Sequence, residues 1–249
     1  MRVCVFVDGE NLRHSIVELF DTFDQRDYLP KAAEWGTLFD SFVNVATDAK
    51  GDRLRTYWYV VQDVDPVPWR VPDPTKGAEE LRRLAWKNDL LKQHLGISSQ
   101  ADLDAKLDHA YEWFKRSFDG IKRRFAGFHT VQDGIQRKHR SIEFRRSGTI
   151  GFDLSNGAFG DEKTVDVNLG VDMVLFRDIY DVAVIVSGDQ DYVPAVQAVK
   201  DSGKHVVNVA FLARNGALLP GGARRLNVVT DWSVEYDYER LRQLLHVPA

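Results

Sequence analysis

Short, almost continuously apolar segments that end in acidic turns are the feature that most constrains how this chain folds. Residues 2–7 and 182–186 are apolar and mostly β-branched, which is typical of strands buried on both faces of a parallel sheet. Each is followed by an acidic turn and then by a helical pattern. A further strand, the second along the chain, is predicted at 53–62. This alternation predicts an α/β three-layer sandwich with a mostly parallel central sheet.

The length of 249 residues suits one large domain that carries an insertion. We expect a single domain over residues 1–249, with a helical and basic insertion at about 63–140, between strands two and three, and a C-terminal helix at about 235–246. The single cysteine, Cys4, excludes an internal disulfide and a cysteine-based zinc site. The absence of a membrane-length apolar run predicts a cytoplasmic protein without membrane contact.

The central and C-terminal segments give weaker patterns. Four prolines predict a loop at 63–77, and residues 127–152 resemble one or two strands. Apolar residues in steps of three and four predict one amphipathic helix at 100–125, which packs either on its own domain or on a partner helix. Residues 164–179 are apolar on nearly every side and predict a buried helix, and 226–230 predicts a last strand.

Acidic residues follow the predicted strand ends. Asp8 ends the first strand, and Asp189 and Asp191 come just after the strand at 182–186. Ligands of open parallel sheets bind at the carboxyl ends of the strands, so these side chains are expected at one rim. Asp166 and Asp172 lie on the preceding helix, six residues and roughly 600° apart, and cannot share one helix face well. Asp172 is the stronger candidate because its neighbours are apolar.

Several carboxylates at one rim would raise one another's pKa values, and a divalent cation removes that cost. Oxygen ligands without a cysteine or histidine cluster suit Mg²⁺ or Mn²⁺. We therefore predict Asp8, Asp172, Asp189 and Asp191 as metal ligands. Four of the acids also have simpler explanations: Asp8 as a helix cap, Asp189 and Asp191 as turn or N-cap residues, and Asp166 as a first-turn acid favoured by the helix dipole.

Polar residues beside the acids add candidate substrate contacts. Asn11 would lie on the first turn of the helix after Asp8, where its amide could bond a ligand carboxylate or a phosphate. Ser187 and Gly188 expose backbone N–H groups at a helix start, which favours an anion.

Three motifs together give the chain a resemblance to the NYN domain, in the LabA-like branch of the PIN-like nucleases. They are "VFVDGEN", "KTVDVNLGVDM" and "VIVSGDQDYVPAV". The resemblance implies a Rossmann-like PIN fold, a carboxylate metal centre and ribonuclease activity. It marks Asp8, Asn11, Asp172, Ser187, Asp189 and Asp191, and adds Asp166 and Lys163. Thr164 departs from the family pattern, which has glycine after the lysine.

A basic region lies between residues 115 and 146, where ten basic residues accompany three acidic ones in a chain of net charge −4. With its phenylalanines it suggests a track for single-stranded nucleic acid, or else a solvated helix face. Trp69 could stack on a base or pin its own loop, and Arg70 could touch a phosphate. The further candidate substrate contacts are Arg123, Arg124, Lys138 and Arg140.

We therefore predict a metal-dependent ribonuclease that catalyses through Asp8, Asn11, Asp166, Asp172, Asp189 and Asp191, with single-stranded RNA as partner; whether it is a homodimer stays open. The alternative is a non-catalytic nucleic-acid or protein-binding module on the same fold. A haloacid-type phosphatase is disfavoured because Glu10 replaces the second aspartate of its motif, and a Toprim nuclease because Asp8 stands where that class has glutamate.

Overall fold

The computed structural model describes residues 1–21, 23, 28–160, 164–219 and 223–248. The chain divides into two compact units. Unit 1 comprises Met1–Val60, Thr130–Ser147 and Thr164–Ala249, and unit 2 comprises Val61–His129 and Gly148–Lys163. The second and third strands and one long helix contribute residues to both units.

The described residues form eight strands and ten α-helices. The strands are β1 (Arg2–Asp8), β2 (Asp52–Val67), β3 (Ile142–Asp153), β4 (Ala158–Phe159), β5 (Val182–Val186), β6 (His205–Leu212), β7 (Leu218–Leu219) and β8 (Trp232–Tyr236). The helices are α1 (Gly9–Leu19), α2 (Trp35–Ala46), α3 (Ala78–Lys87), α4 (Asp89–Leu95), α5 (Gln100–Ala105), α6 (Leu107–Lys138), α7 (Val165–Leu175), α8 (Val193–Asp201), α9 (Ala223–Val229) and α10 (Tyr238–Leu245). A 3₁₀ helix, Gln190–Tyr192, precedes α8.

The predicted α/β fold with a mostly parallel sheet is confirmed. The strand order is β4-β3-β2-β1-β5-β6-β7, and β8 also pairs with β6. β1 is parallel to both β2 and β5, and β6 is parallel to β5 and β8. The two short strands are antiparallel to their neighbours, β4 to β3 and β7 to β6. The chain leaves β1 toward β2 on one side and reaches β5 on the other. The carboxyl ends of β1 and β5 therefore flank a topological switch point, where ligands of such sheets bind.

Helices cover both faces of the sheet in unit 1. On one face the Trp58 ring packs against Trp35 and Phe39 of α2, with ring centroids 4.9 and 5.4 Å apart. On the other face Tyr57 packs against Phe176, which follows α7, at 5.0 Å. Adjacent strand residues point to opposite faces, so β2 alone contributes aromatic rings to both layers. The result is the three-layer arrangement expected from the alternation of strands and helices.

Unit 2 has its own hydrophobic core, built from α3, α4, α5, part of α6 and the ends of β2 and β3. Leu103, Leu107, Phe114 and Phe118 are buried there, and Tyr111, Ile121 and Phe125 pack against them in part. The amphipathic stripe predicted for this segment thus packs within its own unit rather than on a partner helix. The predicted helix is divided at Lys106 between α5 and α6.

Four predictions of local structure are wrong. Residues 127–132 continue α6 instead of forming a strand, and buried Gln132 donates to the Tyr28 hydroxyl from that helix. Residues 63–67 belong to β2, which tolerates Pro66 near its end. Residues 226–230 lie mostly in α9, because a short apolar run does not distinguish strand from helix.

The fourth concerns α7, which is not buried on every side. Val165, Leu169 and Met173 are buried, whereas Val167, Val171 and Leu175 are exposed. The helix packs against the sheet and α8 on one side only. Separately, none of the helices in the described part of the chain combines the length and apolar character needed to cross a membrane.

Candidate active site

The carboxylate of Asp8 is buried at the carboxyl end of β1, with 2% of the residue exposed. It caps α1 by accepting the Asn11 N–H at 3.0 Å. Its second oxygen accepts from Asn11 Nδ2 at 2.7 Å and from the Ser187 hydroxyl at 2.9 Å, and the Tyr192 hydroxyl lies at 3.3 Å. The helix-cap explanation is thus correct for Asp8, and the same side chain also joins β1 to the segment after β5.

Asn11 and Gly9 hold this junction together. Asn11 donates to Asp8 and accepts from the Gly188 N–H at 3.2 Å, so its amide bridges the two sides of the switch point. At Gly9 a β-carbon would lie 2.4 Å from the main-chain oxygen of Tyr59. Glycine therefore allows α1 to begin directly against β2, which explains the glycine after Asp8 in "VFVDGEN".

Tyr192 connects Asp8 to Asp166 on α7. Its hydroxyl donates to Asp166 Oδ1 at 2.7 Å and lies 3.3 Å from Asp8 Oδ2. A phenol carries one proton, so it cannot donate to both carboxylates at once. Burial raises the pKa of Tyr192 far above its usual value, and the charges of Asp8 and Asp166 add to the rise. The phenol therefore remains protonated.

The acids of the rim interact electrostatically through Asp166. Burial raises the pKa of Asp8 to about 6, the charge of Asp166 adds to this rise, and hydrogen bonds from Asn11 and Ser187 oppose it. Burial also raises the pKa of Asp166, and the charges of Asp189 and Asp191 raise it further. The charge of Asp166 thus raises the pKa of Asp8, and the charges of Asp189 and Asp191 raise that of Asp166, as expected for like charges at one edge of a sheet.

Asp189 and Asp191 lie on the 3₁₀ turn between β5 and α8. Asp189 accepts the Asp191 N–H at 2.9 Å and caps the turn, while its own N–H donates to Ser187 Oγ at 3.0 Å. The turn-cap explanation is therefore also correct for Asp189. The side chain of Asp191 is exposed and carries no local bonding role among the described contacts.

Asp166 and Asp172 have different partners, as their separation on the helix predicts. Asp166 accepts from Tyr192 and so joins the Asp8 group, which consists of Asp8 with Asn11, Ser187 and Tyr192. Asp172 instead accepts from the Tyr59 hydroxyl at 2.9 Å and lies 3.9 Å from Arg145. No hydrogen bond or ion pair in the described residues joins Asp172 to the other rim acids. The structure therefore brings Asp166 to the Asp8 group and pairs Asp172 elsewhere, contrary to the preference for Asp172.

The rim acids fit a divalent cation in chemistry but not in arrangement. All are oxygen donors of the kind that Mg²⁺ and Mn²⁺ prefer. Within the described ranges, however, no three His, Cys, Asp or Glu side chains are grouped so that they could hold a metal ion. In addition, the oxygens of Asp8 already accept hydrogen bonds from Asn11 and Ser187. A cation at this rim requires rearranged side chains.

A cavity of about 710 Å³ opens beside Asp191 in unit 1. Its lining residues are Gln190, Asp191, Val193, Pro194, Arg224, Arg225, Val228 and Val229. Arg225 donates to Gln190, which places a guanidinium next to the acidic turn. Sequence reasoning missed Arg224 and Arg225, which lie just before the strand predicted at 226–230 and outside the acidic motifs. It also missed Tyr192, although this tyrosine directly follows the acids of "SGDQD" and its hydroxyl could have been expected to bond a nearby carboxylate.

The remaining predicted substrate residues are dispersed. Lys138 forms an ion pair with Glu34 at 2.6 Å, and Arg140 is exposed before β3; neither has a described bond to the Asp8 group. Trp69, Arg70, Arg123 and Arg124 belong to unit 2. Lys163 lies outside the described residues.

Fold and site define an α/β protein with an acidic rim at the carboxyl ends of its parallel strands. The family model of the NYN domain matches residues 107–219, which supports an NYN-domain protein. The NYN domain belongs to the PIN-like nuclease superfamily. The matched segment contains Asp166, Asp189, Asp191 and Tyr192, whereas Asp8 and Asn11 lie before it.

Comparison with other proteins adds little to this match. None of the curated proteins matches the chain. A crystal structure of a protein of unknown function from Vibrio parahaemolyticus is 12% identical, with 94% of this chain and 91% of that chain covered. Its TM-score is 0.42, and this likeness carries no argument about function.

Proposed function

We propose that this protein is a ribonuclease that hydrolyses RNA phosphodiester bonds at the rim formed by Asp8, Asp166, Asp189 and Asp191. The observation that carries the proposal is the coupling of these carboxylates through Asp166 and Tyr192 at the switch point of the sheet. Such a concentration of negative charge costs stability. In a domain that matches a nuclease-superfamily model, catalysis is the function that accounts for this cost best.

Mg²⁺ or Mn²⁺ is the proposed cofactor, because of the oxygen donors and the superfamily. The proposed ligands are Asp8, Asp189 and Asp191, with Asp166 in place of Asp172. Bound there, a divalent cation would offset the carboxylate charges and polarise the phosphodiester. Asn11, Ser187 and Tyr192 act as positioning residues, because each holds Asp8 or Asp166 rather than facing the solvent.

The cavity beside Asp191 is the proposed place for the RNA next to the acids. Arg224 and Arg225 are exposed there and supply positive charge for backbone phosphates. Val193, Pro194 and Val228 supply an apolar surface for a base or ribose. Lys163 stays a proposed phosphate contact from the sequence motif, whereas the backbone N–H of Gly188, predicted as another, already donates to Asn11 at 3.2 Å.

The test is cleavage of end-labelled single-stranded RNA by the purified chain with Mn²⁺, with Mg²⁺ and with EDTA. Asp189→Asn and Asp166→Asn are suitable inactive variants, because the asparagine oxygen can still accept from the Asp191 N–H and from Tyr192. We expect cleavage by the unmodified protein with metal only, and none by either variant. Full cleavage by both folded variants would refute the assignment.

A non-catalytic binding module is the second candidate. It is favoured by one observation, namely that Asp8 is saturated by protein donors and that the described residues contain no ready three-ligand group. Calorimetric titration with Mn²⁺ separates the two functions. Heat of binding that disappears in Asp189→Asn supports the ribonuclease, and no binding supports the module.

A further inference from the structure

Trp69 in unit 2 is far more exposed than a tryptophan that pins its own loop. The loop containing it begins after β2, and the residue is 83% exposed. No ring contact involves it in the described part of the chain. Exposing a side chain of this size to water is unfavourable, and large exposed aromatic surfaces usually mark binding sites. Of the two roles predicted for Trp69, stacking on a base and pinning its own loop, this exposure favours stacking on a base.

The groove beside Trp69 has a volume of about 660 Å³ and is lined by unit 2 alone. Its aromatic lining includes Trp69, Tyr111 and Phe118. Lys115 Nζ lies 5.2 Å above the Tyr111 ring, and Lys122 Nζ lies 5.2 Å above the Phe118 ring. The amines are thus held at aromatic surfaces along one side of α6, and Arg70 and Lys76 line the same groove.

Acidic side chains also line the groove, and they favour unpaired bases over a continuous row of phosphates as the ligand. Asp73 is occupied by its own loop, where it accepts from the N–H and hydroxyl of Thr75 and from the Lys76 N–H. Asp65 and Glu80 line the groove as well. Carboxylates repel a continuous rod of phosphates but accept hydrogen bonds from the exocyclic amines of unpaired bases.

We propose that this groove, defined by Trp69, Arg70, Tyr111, Lys115, Phe118 and Lys122, binds a single-stranded polynucleotide. A base stacks on Trp69, and the arginine and lysines hold the flanking phosphates, which is how single strands are bound without base pairing. An acidic peptide would engage the cations but leave the indole unused. The binding does not depend on the cleavage proposed above.

The experiment measures binding of a fluorescent oligocytidine RNA, whose bases carry exocyclic amines, to the full chain by anisotropy, in EDTA so that no metal-dependent cleavage intervenes. We expect Trp69→Ala to weaken binding at least about tenfold, the loss typical for one stacked base. The matched control is Trp86→Ala, since Trp86 is also partly exposed in unit 2 but does not line the groove. Circular dichroism at the assay temperature checks that both variants are folded.

Charge is tested separately. Lys115→Gln with Lys122→Gln should weaken binding and reduce its salt dependence, whereas Lys87→Gln, an exposed lysine of the same unit outside the groove, should do neither. DNA of the same base sequence that also depends on Trp69 supports the proposal. Unchanged binding by Trp69→Ala, or a duplex that binds as tightly as the single strand, overturns it. If the parent protein binds the RNA through Trp69 but does not cleave RNA with metal, only the ribonuclease proposal is refuted. If it cleaves RNA but its binding does not depend on Trp69, only the groove proposal is refuted.

Discussion

The hydroxyl of Tyr192 donates to Asp166 at 2.7 Å across the switch point of the sheet. This bond connects the turn after β5 to the first turn of α7, and it lowers the pKa of Asp166 against the effects of burial and of neighbouring charge. The same oxygen lies 3.3 Å from Asp8. The aromatic residue that follows the acidic turn therefore organises the rim, although it carries no charge itself.

Tyr192→Phe removes this hydroxyl and keeps the ring. We expect the variant to lose about 2 kcal/mol of unfolding free energy, because a half-buried carboxylate loses its donor. Urea unfolding measures the loss. Tyr180→Phe is the matched control, since the buried Tyr180 hydroxyl donates to Met173 O away from the rim. Both changes should destabilise the fold, but only Tyr192→Phe should slow RNA cleavage. Equal cleavage by the two variants would contradict the positioning role.

Asp166 and Asp172 can be distinguished by the same substitution at each. Asp166→Asn should reduce the RNA cleavage rate at least about a hundredfold, as expected when a catalytic carboxylate is lost. Asp172→Asn should remain within about threefold of the parent rate, because its described partners are Tyr59 and Arg145 rather than the proposed catalytic acids. A larger effect at Asp172 would restore the ligand set predicted from the sequence. Circular dichroism confirms that both variants are folded.

The buried carboxyl of Asp8 predicts a dependence of stability on pH. Its pKa rises from 3.8 to about 6 on folding, so the folded state favours the protonated form. The resulting stability is complete below pH 3.8 and is lost as the pH rises through about 6. Over this window the parent protein should lose about 3 kcal/mol relative to Asp8→Asn.

Urea unfolding of the two proteins at several pH values between 4 and 8 checks this prediction. Asp8→Asn also loses the hydrogen bond from Asn11, so the informative quantity is the change with pH of the difference between the two proteins. The exposed Asp178 provides a control, because Asp178→Asn keeps the buried carboxyl and should follow the parent. A constant difference between parent and Asp8→Asn would show that Asp8 does not titrate in this range.

Gly9→Ala should destabilise the protein by about 3 kcal/mol, because the new β-carbon meets the main-chain oxygen of Tyr59. It should also displace Asn11 and reduce cleavage. Gly134→Ala is the contrasting variant, since that helical glycine has no atom within 4 Å of an added β-carbon. It should stabilise α6 by about 0.5–1 kcal/mol. Thermal unfolding of both proteins measures the effects, and a harmless Gly9→Ala would mean that α1 is free to shift.

The alternation of buried strands and helices determined the fold class and the rim. Asp8 and Asp189 follow strand ends directly in the chain, so the parallel arrangement alone places them at one edge. The choice between Asp166 and Asp172 was not available from the sequence. The helix is apolar on nearly every side, so its pattern does not reveal which face packs on the sheet. Packing buries Val165, Leu169 and Met173 and thereby sets the direction of both acids.

The local sequence by itself determined that Asp8 and Asp189 cap the turns after their strands, because capping depends on neighbours a few positions away. Only the tertiary structure decided that Tyr192 donates to Asp166 beside Asp8, that Arg224 and Arg225 lie beside Asp191, and that Trp69 is exposed. Each of these depends on contacts, or their absence, between segments distant in the chain. Such contacts follow from how side chains fill the space between packed elements, and hydrophobic periodicity does not encode that filling.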